Sequence, residues 1–574
     1  MTSSFDLLPN EIYLSIFDYL KPIDVLYSFF NINKRLNHLV RYNSPPSYLD
    51  LRNISIKAFE HYCLDLFPLF YSNIKSLKID GEQFSHQKFQ YPSNIKDLTL
   101  SLTGDYYPPS LLSDEKLFNG KCLLTTCSIE NYAYHLSKRL SICPTLKQLT
   151  IHLKCHADLL EIMNRLPNIQ KLHSTIDYDV SSTNESPSSI TLTFPFQFLT
   201  DFSYIISQRH GLVYFVTNYC LIETLIKSFS TLKYLQMYIV GCLHTCLDGD
   251  YLKANLLKHL PLLQEFHFFF QSYGTTDYLM KDMSTYQTDY WLKEKRLNFG
   301  YVNNELTDIQ CLFTLPYAFD RIDGCVNEHF IKNIKTNHTI KTNLSKCPGW
   351  LNVKHLELAC DITPGLLSTL SEIFVNLRTV RCYGGYRYIH PSLLKLKTST
   401  LKSVDKLIFE ENCLRHTSLV QLTPNLHTLH LSLTILLQLI QEVGTGYLYQ
   451  IKELHVRLFQ QPYLQEVIDA FPNIRHLTLC SRLSDDELPL RSFVDKRCHH
   501  KHRPISALDI IEQLLSCKSL KQLTSVKIGC YWERDEENIQ NILARKIHKY
   551  FGQYFSLRCE PYTSTACGNV LFSK

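Results

Sequence analysis

The sequence predicts an α/β chain: a small helical module followed by a long, irregular array of stacked units, with parallel strands on one face and helices on the other. Three observations carry that reading. The chain has 574 residues, too many for one ordinary compact core. A seven-residue phrase of the form x-φ-x-x-φ-x-φ, where φ is apolar, returns between residues 73 and 528. The first 45 residues show instead the apolar spacing of helices.

In the helical module, "LPNEIYLSIFDYL" places Leu8, Ile12, Ile16 and Leu20 at every fourth residue, and Phe17 widens the stripe. Glu11, Ser15 and Asp18 fall on the other sides, so the segment reads as a helix with one apolar face. Pro9 sits in the first turn, where its missing N–H would have no helical acceptor anyway. Pro22 ends the segment, and Asp24 is placed to cap a second helix through "VLYSFFNI". A third, "NKRLNHLVRY", carries Leu36, Leu39 and Val40. Three helices in about forty residues make a very small core, so some of their apolar surface is expected to find burial against a neighbour or a partner. The pattern alone leaves open whether the module binds a partner or caps the first repeat.

The same stretch resembles the F-box. The resemblance runs through Leu8-Pro9, Glu11-Ile12, Ile16-Phe17, Tyr19-Leu20, Asp24-Val25-Leu26 and Lys34-Arg35 with Leu39 following, over roughly Ser4 to Arg41. Where the family often has Val-Cys before the Lys-Arg pair and Trp after it, this chain has Ile32-Asn33 and Leu36. The resemblance implies docking on a Skp-type adaptor and, through it, on a cullin-based ubiquitin ligase. It implies Leu8, Pro9, Ile12, Ile16 and Leu20 as the adaptor-binding anchors, entering a partner's groove at helical spacing.

In the array, the phrase appears as "NIKSLKI" at Asn73, "NIKDLTL" at Asn94, "TLKQLTI" at Thr145, "NIQKLHS" at Asn168, "TLKYLQM" at Thr231 and "LLQEFHF" at Leu262. It continues at Asn352, Asn376, Ser403, Asn425, Gln450, Asn473 and Gln522, with a weaker copy at Phe198. The last two apolar positions alternate as a half-buried strand requires, and the first marks the turn into it. A Pro or polar stop often precedes the phrase, and a helix-like stretch such as "DLLEIMNRL" or "QEVIDAF" precedes that. Most phrases lie about 21 to 33 residues apart, and two gaps near 50 point to copies that escape the pattern. This period and core resemble the leucine-rich repeat in degenerate form. One such unit cannot bury its apolar side alone, so neighbours must stack.

The organisation expected is therefore a helical module over residues 1–45 and an array over 46–270 and 350–574. Between the two parts, residues 271–349 are rich in Tyr, Asp, Asn and Thr and read as an insertion or as decorated repeats. "ENIQNILARKIHKYF", amphipathic through Ile539, Ile542, Leu543 and Ile547, reads as the closing helix.

Composition excludes several classes of function. Hydrophobic residues at 45% and charged residues at 20% are a globular balance, not a disordered one. A formal net charge of +5 is too small for binding driven by phosphate contacts, so no nucleic-acid partner is expected. The 20 Cys are scattered, and "MTSSFDLLPNEIY" lacks the basic and apolar regions of a secretory signal. Reduced, mostly buried thiols in the cytosol or nucleus follow as the expectation. Sequons such as Asn337-His338-Thr339 are then chance matches. Apolar runs such as "LSLTILLQLI" from Leu431 are about half of what a bilayer span needs, so no membrane partner is expected.

Three cysteine motifs invite chemistry. Cys498-His499-His500-Lys501-His502 offers zinc-type ligands, but they are contiguous, flanked by Lys496, Arg497 and Arg503, and lack a second separated pair. It reads as a solvated basic loop. Cys242 with Cys246, and Cys122 with Cys127, read as buried thiols. No phosphate-binding, HExxH or GxSxG pattern occurs in a supporting context, so no metal, cofactor or catalysis by this chain is expected. The aromatic-rich "TDYLMKDMSTYQTDYW" and "CYGGYRYIH" read as contact surfaces or as packing over repeat edges. The function expected is that of a non-catalytic substrate-recognition subunit of a Skp–cullin–F-box ubiquitin ligase, its array holding an unidentified target protein. The rival reading is a leucine-rich-repeat interaction scaffold whose N-terminal helices serve only as a cap.

Overall fold

The computed structural model describes residues 7–20, 22–30, 32–43, 47–52, 73–80, 94–101, 123–134, 142–153, 155–176, 196–206, 219–241, 247–273, 283–304, 309–324, 333–336, 348–358, 362–383, 400–410, 419–457, 463–480, 525–531, 556–561 and 567–573, with a few single residues and pairs between them. The chain divides into two compact units. The first holds Met1–Ser207, Phe215–Leu243 and Asp250–Phe266; the second holds Gln208–Tyr214, His244–Gly249 and His267–Lys574.

The first unit opens with three helices, α1 (Asn10–Tyr19), α2 (Pro22–Phe29) and α3 (Lys34–Asn43). Pro9 is the residue before α1, extended at φ −58° and ψ 155°, rather than part of its first turn. Pro22 opens α2, so Asp24 lies inside the first turn and is not the cap. Proline suits both positions, because neither needs its N–H.

Among the described residues eight strands follow: β1 (Tyr48–Asp50), β2 (Ser76–Asp80), β3 (Asp97–Ser101), β4 (Thr126–Tyr134), β5 (Gln148–Leu153), β6 (Lys171–Ile176), β7 (Asp201–Ile206) and β8 (Tyr234–Val240). Each pairs in parallel with the next, in chain order. Helix α4 (His156–Met163) lies between β5 and β6 in the chain, and α5 (Tyr219–Lys227) between β7 and β8. The pairing aligns Leu77, Leu98, Cys127, Leu149, Leu172, Phe202 and Leu235 into one column. All seven are buried. A one-residue slip anywhere would turn that column to the other face, so the apolar pattern fixes the register.

The array thus contains a copy that the sequence pattern missed. Leu124 just before β4, and Cys127 and Ile129 within it, take the three apolar positions of the phrase, all buried, inside the first wide gap. The second wide gap falls largely at 481–524, outside the described residues.

Consecutive units are stapled in one recurring way. At most strand starts of the two parallel runs, two successive amides donate to a single carbonyl of the unit before. Lys96 and Asp97 share the Lys75 carbonyl at 2.8 and 3.0 Å, Gln170 and Lys171 share that of Lys147, and His427 and Thr428 share that of Asp405. The asparagine that opens many phrases adds a side-chain staple. Nδ2 of Asn168 donates to the Pro144 carbonyl at 2.8 Å, Asn376 to Leu351 at 2.8 Å, Asn425 to Lys402 at 2.7 Å and Asn473 to Tyr449 at 2.8 Å. Gln450 reaches the Thr423 carbonyl at 3.2 Å by the same logic. Each such bond contributes about 1 kcal/mol net, and it satisfies a turn carbonyl that the sheet does not use.

The second unit combines an antiparallel block with a second parallel run. Strands β9 (Glu265–Tyr273), β10 (Asn298–Asn304), β11 (Ile309–Leu315) and β13 (Lys335–Thr336) pair antiparallel as β9–β11–β10–β13. Aromatic side chains fill this block. Phe268 stacks on Phe270 and Phe299 with centroids 4.7 and 5.6 Å apart, and Trp291 meets Phe299 edge-on at 5.2 Å. Tyr286 donates to the Leu247 carbonyl. The described part of the aromatic-rich segment, residues 283–291, therefore packs inward through Tyr286 and Trp291, both fully buried. Gly300 is required here, since a Cβ would fall 2.3 Å from the Phe313 ring.

The parallel run joins β12 (Arg321–Ile322) to β14 (His355–Leu358), β15 (Thr379–Cys382), β16 (Lys406–Phe409), β17 (Thr428–Ser432), β18 (Glu453–Arg457), β19 (His476–Cys480) and β20 (Ser525–Tyr531). Strands β21 (Ser556–Pro561) and β22 (Cys567–Ser573) close it as an antiparallel pair, β22 lying against β20. Helix α6 (Pro364–Ile373) starts with Thr363 accepting from the Leu366 amide at 3.1 Å. Helix α7 (Leu433–Val443) buries Leu433, Ile435, Leu436, Leu439 and Val443, and α8 (Leu464–Ala470) buries Leu464, Val467 and Ile468. The "LSLTILLQLI" run is thus the end of β17 and the start of α7. The expected closing helix at 537–551 lies outside the described residues.

Replacing Asn376 with Ala should lower the unfolding free energy of its unit by about 1 kcal/mol. Leu429→Ala, at a buried β17 position aligned with Leu407 and Leu454, should cost about 2–5 kcal/mol. Urea titrations followed by circular dichroism check both; equal losses would contradict this division of roles.

Candidate functional site

Helix α1 has two apolar faces, and the fold uses only one. Tyr13 is fully buried, its ring edge-on to Phe29 of α2 at 6.5 Å, and Phe17 meets Phe29 at 5.0 Å. From α3, Arg35 donates through Nε to Asn10 Oδ1 at 2.8 Å and through Nη2 to the Leu8 carbonyl at 2.6 Å. Its guanidinium lies over the Tyr13 ring at 5.4 Å. Asn33 caps α3, its Oδ1 accepting from the Leu36 amide at 2.8 Å. Leu36 is fully buried, and Val25, Leu26 and Val40 are buried beside it. The module is held by Tyr13, Phe29, Leu36 and Arg35, of which the sequence pattern singled out only Leu36 as core.

The opposite face of α1 is left uncovered. Ile12 is 45% exposed, Leu20 36%, Leu7 77% and Tyr19 91%. Leu8 and Ile16 are half-buried, and Pro9 is exposed. The five expected anchors Leu8, Pro9, Ile12, Ile16 and Leu20 are thus not sequestered by their own chain. Leu7 and Tyr19 extend the ridge. Tyr19 could have been found from its i+7 relation to Ile12, which returns it to the same side of a helix. Ile32, 53% exposed at the entry to α3, adds a separate apolar residue.

A second concentration of functional groups lies on the outer face of β14–β19. Arg381 contacts Glu357 at 3.3 Å and Glu410 at 3.4 Å, and Arg457 pairs with the same Glu410 while donating to the Phe409 carbonyl at 2.7 Å. Tyr383 donates to Glu357 at 3.3 Å. Burial, reinforced by Asp323, pushes the Glu357 carboxyl up to about 8 against the pull of Arg381. Burial, reinforced by Lys406, His455, Arg457 and Arg381, holds the His430 imidazole well below its ordinary value. Interlocked charges of this kind leave little net stability after desolvation.

Among the described residues, no group of three His, Cys, Asp or Glu side chains is placed to hold a metal ion. The same residues contain no helix long and apolar enough to cross a membrane. The Cys498–His502 cluster, Cys122, Cys242 and Cys246 lie outside the described residues, as does "CYGGYRYIH" beyond Tyr383. Cys127 is buried.

No family model matches the chain, and no curated protein matches it. Among solved structures, the chain is similar to one described as "Crystal structure of TLR13-ssRNA13 complex", at 11% identity and a TM-score of 0.23, covering 75% of this chain and 54% of that chain. This chain therefore spans about half the length of that protein's. A likeness at that TM-score carries no argument. The repeat architecture rests on the parallel register, and the reading of α1–α3 rests on sequence and geometry alone.

Tyr13→Ala should destabilise the first unit by about 3–5 kcal/mol, whereas Ile12→Ser should stay within about 0.5 kcal/mol. Thermal unfolding of the two variants tests that division. The Glu357 shift predicts a pH effect. A folded carboxyl raised from 4.5 to about 8 stabilises fully below pH 4.5, and that contribution is lost as pH rises to about 8. Glu357→Gln should therefore lose less stability than the parent between pH about 5 and about 8. Parallel slopes in urea midpoint against pH would refute the assignment.

Proposed function

We propose that the chain is the substrate-recognition subunit of a Skp–cullin–F-box-type ubiquitin ligase. In this reading α1–α3 dock on a Skp-type adaptor and the parallel array holds a target protein. One observation carries the reading: the apolar ridge of Leu7, Ile12, Tyr19 and Leu20 is left uncovered, although Tyr13 and Phe17 already satisfy the core. An exposed apolar stripe on a short helix suits insertion into a groove. Covering one fully exposed side chain of this kind contributes about 1.5–3 kcal/mol, and several anchors together offset part of the cost of association.

The chain's contribution to ubiquitin transfer would be proximity. A target bound to stacked repeats is held at fixed orientation near the charged enzyme, which raises its effective concentration. The rival scaffold reading draws on one contact, α2 against β1, which is the arrangement of a cap. Capping and docking use different faces of the module, so that contact leaves the ridge available.

Full-length chain carrying Ile12→Asp and Leu20→Asp should bind a Skp-type adaptor at least about 100-fold more weakly than the parent, a difference of about 2.7 kcal/mol. Titration by isothermal calorimetry measures it. No binding by the parent chain itself would move the assignment to the scaffold.

A further inference from the structure

The described cysteines sit in contrasting environments. Cys127, Cys143, Cys311 and Cys382 are buried. Cys155 is partly exposed, but its thiol donates to the Asp158 carboxylate at 3.1 Å, and burial pushes it up to about 11. Cys480 is also partly exposed, and its neighbour is a base: Nε2 of His455 lies 3.4 Å from Sγ. Strand alternation puts both on the outer face, and the ladder explains their meeting. His455 is opposite Thr478, two residues before Cys480.

The surroundings favour an anionic sulfur. His430 packs its ring edge-on to His455 at 4.9 Å, and Arg457 lies two residues beyond His455 on the same strand. Across that face stand Lys406 on β16, Glu410 just after it, Glu453 on β18 and His476 on β19; Glu410 is engaged by Arg381 and by Arg457, whose guanidinium is thereby held toward β16. On the far side, the β20 residue opposite Cys480 is Gly529, which has no side chain to cover the sulfur. A thiol within reach of an imidazole is the arrangement that produces a thiolate near neutral pH.

We propose that Cys480 is a reactive thiolate, activated by His455, and a site of covalent modification by small soft electrophiles on the outer face of the second parallel sheet. His455 holds the proton that leaves Sγ. With an alkyl iodide the sulfur forms a bond to carbon, and iodide departs with the carbon–iodine electron pair. With an α,β-unsaturated carbonyl the sulfur adds to the β carbon, and the α carbon takes a proton from the His455 imidazolium.

The test is site-resolved mass spectrometry of the full chain labelled with iodoacetamide across a pH series. In the native protein, half-maximal labelling of Cys480 should fall at least one unit below that of the urea-unfolded chain, which titrates near the ordinary thiol value of about 8.5. Native Cys155 should label far more slowly. His455→Gln, with its circular dichroism unchanged, should slow Cys480 labelling at pH about 6.5 about tenfold, the loss expected when the thiolate fraction returns to that of an ordinary thiol. An identical profile in native and unfolded chains, or in parent and His455→Gln, would overturn the proposal. If the variant fails to fold, the native-versus-unfolded comparison decides alone.

Discussion

Most units of the array start their strand by aiming two amides at one carbonyl of the unit before, and every apolar column is completed by the next strand. That dependence on neighbours organises much of the molecule. It fixes a parallel register in chain order, because only that order places Leu77, Leu98, Cys127 and Leu149 in one column. It also makes stability a sum of local interfaces, so an end that lacks a neighbour must be treated differently. At the amino end α2 meets β1, and at the carboxyl end β21 and β22 turn the sheet antiparallel.

The helical module obeys the same constraint at smaller scale. Tyr13, Phe29 and Leu36 satisfy a minimal core, and Arg35 ties α1 to α3 through the Leu8 carbonyl and the Asn10 side chain. Those contacts draw on the Tyr13 and Phe17 side of α1. The ridge of Ile12, Tyr19 and Leu20 is then a surplus of apolar area at the tip of the chain. Apolar surface in water is unfavourable, so its retention on a helix already well packed is what points to another molecule.

How far the sequence could be read follows from the range of each interaction. Leu429 and Leu454 announce themselves because alternation is local, and Asn376 and Asn473 were visible as repeated letters. Their purpose was not, since the accepting carbonyl lies a full unit away. Cys127 escaped because cysteine replaced the aliphatic residue in an otherwise regular phrase. Tyr13 is hidden in the sequence because the every-fourth spacing of Leu8, Ile12 and Ile16 dominates the segment, although Ile12 lies exposed and Leu8 and Ile16 only half-buried. The antiparallel block around Phe268, Phe299 and Trp291 could not be read at all, because register between distant aromatic strands has no local signature. The His455–Cys480 pair was hidden for the same reason: two strands of separate units bring it together.

Burial in the array is completed by neighbouring units, and we propose that the exposed ridge on α1 is covered by a second protein. Amide hydrogen exchange of the full chain, alone and with a Skp-type adaptor, tests it most directly. Slow exchange at the paired strand-start amides is predicted in both states, with added protection on the adaptor confined to α1–α3. Protection that spreads over the array while α1 exchanges as before would contradict it.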